Sequence, residues 1–141
     1  MPDSYSDFVA QMQVAVREET ALWELPSGST VLLPSGNVVH GPWPARECSD
    51  VMTSWLRRNW IELYLPSLPN KWNLPGAEWR VRASFTERFL LLANVDAEKL
   101  LRDPSRWTLD SEDGHVALSL TSSGADVDDR EWLAAAVQER H

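Results

Sequence analysis

Apolar residues along the chain recur with two different periods, and the alternation between them predicts the elements. Phe8, Val9, Met12, Ala15, Val16, Leu22 and Trp23 fall three or four apart, so they place one apolar stripe on a first helix running to the Pro26-Ser27-Gly28 break. Thr30 to Leu33 and Val38 to His40 are β-branched and apolar runs around Pro34-Ser35-Gly36-Asn37, which predicts a hairpin. A second helix follows the Gly41-Pro42-Trp43-Pro44 corner. It carries Cys48, Val51, Met52, Trp55 and Leu56, with Arg57 and Arg58 at its negative end and Asn59 suited to a left-handed exit.

In Trp60 to Leu65 the set Ile61, Leu63, Leu65 alternates with polar or amphipathic neighbours, and in Trp79 to Phe85 the set Trp79, Val81, Ala83, Phe85 does the same. Pairing these two strands antiparallel, with Leu63 opposite Val81, sets Glu62 against Arg82 and Tyr64 against Arg80. The connection from Pro66 to Glu78 is long for a hairpin loop, and such loops are often functional. Residues 84–95 fit a capped helix or a buried strand equally well, because the apolar run is too short for periodicity to decide.

Asp96 starts a short helix through Leu101, and Trp107 to Asp110 with His115 to Thr121 reads as a further hairpin. A last helix from about Asp128 to Gln138 carries Trp132, Leu133, Ala136 and Val137 on one stripe, with acids at its positive end. The expectation is a single α+β domain over residues 1–141, with about four helices packed on antiparallel hairpins in the order α-β-β-α-β-β-α-β-β-α.

Composition narrows the class. The chain has 141 residues, 43% of them apolar and 24% charged, which is ordinary for a globular domain. No apolar run approaches the ~18 residues of a membrane span, and the polar start Met1 to Asp7 lacks the pattern of a secretory signal. With one cysteine, Cys48, no internal disulfide is available, and the expected setting is cytoplasmic without membrane contact. The net charge of −8 is uneven: residues 1–50 sum to −5, residues 51–109 to +3 and residues 110–141 to −6.

Motifs for chemistry are sparse. His40, Cys48, His115 and His141 have no zinc-ligand spacing, and Asp126 to Asp129 is followed by Arg130 rather than by a calcium-loop continuation, so no metal or other cofactor is expected and a helix cap explains those acids. A Cys48–His40 dyad is disfavoured by the place of Cys48 on an apolar helical stripe. An Asp113–His115 acid–base pair needs no function beyond a turn. Nucleotide and phosphate loops and the nucleophile-elbow pattern are absent from the sequence.

The eight tryptophans are the unusual figure. Trp23, Trp55, Trp79, Trp107 and Trp132 fall on expected inward faces. Trp43 and Trp72 lie in Pro-rich loops, where each is either a lid on the core or an exposed anchor of the kind enriched at interfaces.

Segment 44–85, helix, strand, long loop and strand, resembles the latter half of a winged-helix domain, with Pro66 to Glu78 as its wing. That resemblance implies nucleic-acid binding, with Arg57, Arg58, Lys71, Arg80 and Arg82 facing phosphates and Trp72 or Tyr64 stacking on a base. The acidic total opposes it. The preferred expectation is a non-enzymatic protein-binding domain, an inhibitor, an immunity-type neutraliser or an accessory subunit. Its acidic surface steers it to a basic partner, and Trp43, Tyr64, Lys71, Trp72, Arg80 and Arg82 form the contact set. An enzyme or small-ligand binder without a local motif is the third class.

Overall fold

The computed structural model describes residues 4–65, 78–81 and 88–139. Its first helix, α1 (Ser4–Arg17), buries Phe8, Val9, Met12 and Val16 as the sequence predicts. It stops well before Trp23, because Glu19 takes a left-handed φ of 57° and the chain then turns along a strand edge. There Leu22 N–H donates to Val116 O and Trp23 N–H to Gly114 O, both at 2.9 Å, while Leu118 N–H donates to Thr20 O at 3.1 Å. Backbone groups that helix continuation would have paired are paired across to the sheet instead.

Strands β1 (Ser29–Leu33) and β2 (Gly36–His40) form the expected hairpin, a separate two-stranded sheet with Val31 opposite Val38 and Thr30 opposite Val39. Helix α2 (Ala45–Arg57) is the central element of the helical layer. Cys48, Val51, Met52, Trp55 and Leu56 are buried on it, and so are the small polar residues Ser49, Thr53 and Ser54, since other helices cover more than one of its faces. Asn59, with φ 62°, makes the expected left-handed exit.

Strands β3 (Ile61–Leu65), β4 (Glu78–Val81), β5 (Arg88–Leu91) and β6 (Ala117–Leu120) form one antiparallel sheet in the order β4-β5-β3-β6. This corrects two expectations. The first concerns β3 and β4, which are not neighbours: β5 lies between them, with Tyr64 opposite Leu91 on one side and Trp79 opposite Leu90 on the other. Residues 88–91 are thus the strand of the two alternatives, and their near-continuous apolar character suits an inner position. The Leu63–Val81 register is replaced by Leu63 opposite Leu118. The second expectation was a further hairpin, and Trp107 to Asp110 forms no strand. Short 3₁₀ turns at Pro104–Arg106 and Asp113–His115 carry the chain there, and β6 pairs with β3 instead.

Helix α3 (Asn94–Leu101) precedes those turns, and the one-turn α4 (Ser122–Ala125) and then α5 (Asp129–Glu139) close the chain. Asp128 caps α5, its carboxylate accepting from Arg130 N–H at 2.8 Å, which is the role expected of the acids there. Three side chains donate to α5 carbonyls: Tyr5 Oη to Ala136 O at 3.0 Å, Ser54 Oγ to Ala135 O at 3.3 Å, and Trp55 Nε1 to Trp132 O at 3.1 Å. The Trp55 and Trp132 rings meet edge to face at 4.6 Å. One cluster of buried side chains runs from α1 through α2, the sheet and α3 to α5, so the molecule is a single α+β core with the β1–β2 hairpin projecting from it.

Candidate functional site

Where α1 ends and the hairpin begins, the chain folds into an open cavity of about 360 Å³. Its walls include Met12 and Glu18 from α1 and its exit, Trp23 and Glu24 from the segment beside β6, and Gly28 and Trp43 at the base of the hairpin. Both indoles are half-buried. Trp43 packs edge to face on Phe8 at 5.2 Å and its backbone N–H donates to Pro26 O at 2.7 Å, so its position is fixed from both the side chain and the main chain. Trp23 lies 6.5 Å from the His115 ring.

The charge of this site is one-sided. Glu18 and Glu24 are exposed, and neither carboxylate makes an ion pair or side-chain hydrogen bond among the described residues. The sequence holds Glu18, Glu19 and Glu24 between Arg17 and Arg46 and no Lys or Arg there. Arg17 itself is held to Asp129 at 3.4 Å. An open cavity with aromatic walls and unpaired acids attracts a cation, by Coulomb attraction first and by the indole faces on contact.

Beside the cavity the hairpin shows the opposite character. Between Glu24 and Arg46 there is no Asp, Glu, Lys or Arg. Leu32 is 76% exposed and Val39 65% exposed, and the β1–β2 register puts them on the same face; Leu33 and Val38 are exposed on the other. Apolar side chains standing in water on a two-stranded ribbon are a feature of interaction sites.

Of the residues selected from sequence, the structure places Trp43 in this cavity. Lys71, Trp72 and Arg82 lie outside the described residues, as does the wing, Pro66 to Glu78, apart from its last residue, Glu78, which opens β4. Arg80 belongs to β4 opposite Phe89, and its side chain is likewise outside the description. Tyr64 corrects an expectation: it is 4% exposed in β3, with strands on both sides, and offers no ring for stacking on a base or a partner. Burial also raises its phenol above the ordinary value.

Two arginines of the nucleic-acid reading, Arg57 and Arg58, are engaged within the fold. Arg57 Nε donates to Glu98 Oε1 at 2.6 Å, which holds that carboxyl below its usual range, and Arg58 donates to Gln138 Oε1 at 2.8 Å with its guanidinium 5.5 Å from the Trp60 ring centroid. A winged-helix arrangement also needs the strands flanking the wing to pair and the helix before them to face outward. Here β5 separates β3 from β4 and α2 is sunk in the core.

The remaining candidates have structural roles. Cys48 is fully buried and its thiol is pushed up to about 12, chiefly by desolvation, so it supplies no thiolate at neutral pH. Asp113 accepts from Arg106 at 3.0 Å while His115 Nε2 pairs with Leu109 O at 2.9 Å, so each member of that pair is bound elsewhere. Among the described residues no group of three or more His, Cys, Asp or Glu is placed to hold a metal, and no helix is long and apolar enough to cross a membrane.

Trp55, Trp107 and Trp132 are core residues as expected; the Trp79 side chain lies outside the description. Trp23 departs from the pattern, because it sits past the end of α1 and faces the cavity rather than the core. The signal that finds the site in the sequence is the run of acids with no base between Arg17 and Arg46, flanked by Trp23 and Trp43. No protein-family model, curated protein or solved structure matches the chain.

Proposed function

We propose that the chain is a protein-binding domain, and that its partner presents a basic side chain to the cavity between α1 and the hairpin while covering the hairpin's apolar face. The observation that carries this reading is the meeting of two half-buried indoles, Trp23 and Trp43, with the unpaired carboxylates of Glu18 and Glu24 on the walls of one cavity. The carboxylates steer a basic partner by long-range attraction. The indoles and the exposed Leu32 and Val39 supply desolvated area, the term that makes an encounter last.

Charge reversal tests the reading without touching the core, since both acids are exposed. In capture from the native host, the double variant Glu18→Lys/Glu24→Lys loses the basic proteins that the wild type retains, with affinity down at least about tenfold, and raised salt has the same effect on the wild type. Equal capture of the same proteins by both forms overturns it.

A further inference from the structure

A second cavity, of about 310 Å³, opens between α2 and the end of α3, and it has the opposite chemistry. Its walls are Arg46, Ser49, Asp50 and Thr53, which share one face of α2 at spacings of three and four, with Arg102 and Pro104 from the chain after α3. We propose that this cavity binds a small carboxylic acid.

Three observations converge on it. Thr53 lines the cavity and is only 2% exposed, and among the described residues its Oγ1 has no hydrogen-bond partner; a buried hydroxyl without a partner is costly unless a ligand completes it. The neighbouring Ser49 hydroxyl is satisfied, because it donates to Leu101 O. Arg46 and Arg102 make no ion pair or side-chain hydrogen bond among the described residues; Arg102 acts on the Glu98 carboxylate only through space, since that carboxylate accepts its hydrogen bond from Arg57. Two guanidinium forks without a hydrogen-bonded acid and an idle hydroxyl donor around one cavity are the complement of an oxyanion.

The charge sets the class. Arg46 and Arg102 against Asp50 leave the wall one positive charge in excess, which balances a singly charged carboxylate and leaves a phosphate dianion overcharged. The volume lies at the small end of ligand pockets, so the ligand is a compact acid rather than a nucleotide. This site stands on different residues from the proposed partner site and does not depend on it.

The test is amide NMR of the full chain titrated with sodium acetate or inorganic phosphate, with chloride holding ionic strength constant. Acetate produces saturable shifts at Arg46, Thr53 and Arg102, and phosphate at the same ionic strength is weaker. Thr53→Val keeps the shape, stays folded and weakens acetate at least about fivefold, and Arg46→Gln/Arg102→Gln abolishes saturation. Absent or merely linear shifts, tighter binding of phosphate, or acetate affinity unchanged in Thr53→Val each overturn the proposal.

Discussion

Replacing Trp55 by Ala lowers the unfolding free energy by about 3–5 kcal/mol, read from the urea midpoint at constant slope. Trp55 is 0% exposed, so truncation leaves a large cavity beside the last turn of α2, where it packs on α5, and its neighbours cannot collapse into it. Two further contacts go with the ring: the donor to Trp132 O at 3.1 Å and the edge-to-face contact with Trp132 at 4.6 Å. An ordinary domain has only about 5–15 kcal/mol in total, so this one truncation removes a large share of it. A loss below about 1 kcal/mol would mean that the α2–α5 contact does not hold the helical layer together.

The second large effect is at the root of the hairpin. Gly28 has φ 76°, and a Cβ on it would collide with the carbonyl oxygen of His40 and meet the Gly41 backbone, where the two strands leave the core. Gly28→Ala therefore costs about 2–3 kcal/mol, from the left-handed backbone together with the displacement of fixed main-chain atoms. Because Gly28 is also a wall of the acidic cavity, the same substitution weakens partner capture beyond what its stability loss explains. Gly36→Ala is the control: φ there is also positive at 130°, yet a Cβ meets nothing, so it carries the backbone cost without the collision. Equal stability of the two variants would remove the collision from the account.

Most of the elements are legible in the sequence, because each rests on a local period. The stripe Cys48, Val51, Met52, Trp55, Leu56 marks α2, and those residues are buried as the stripe requires. Strand order is not legible in the same way. β3 and β4 alternate well enough to pair, and only the insertion of β5, a run too short for its period to be read, separates them. The end of α1 was hidden for a related reason. Leu22 and Trp23 continue its stripe, but Thr20, Leu22 and Trp23 hydrogen-bond to residues 114–118, at and just before β6, more than ninety residues downstream.

The site was half legible. Trp43 is identifiable from its Pro-rich setting, whereas Trp23 is masked by an apolar spacing that the backbone abandons at Glu19. Thr53 gives no sequence signal, since a threonine on a helix is recognised as unpaired only once its surroundings are packed.

The central claim is that the indole-walled cavity accepts a cationic side chain. It is tested most directly by following the Trp23 and Trp43 indole N–H resonances while a short lysine peptide is added, and again with the same peptide acetylated on its amines. Both indoles show saturable shifts with the cationic peptide, abolished in Glu18→Lys/Glu24→Lys and by acetylation. Indoles that stay still, or that move equally with the acetylated peptide, would contradict it.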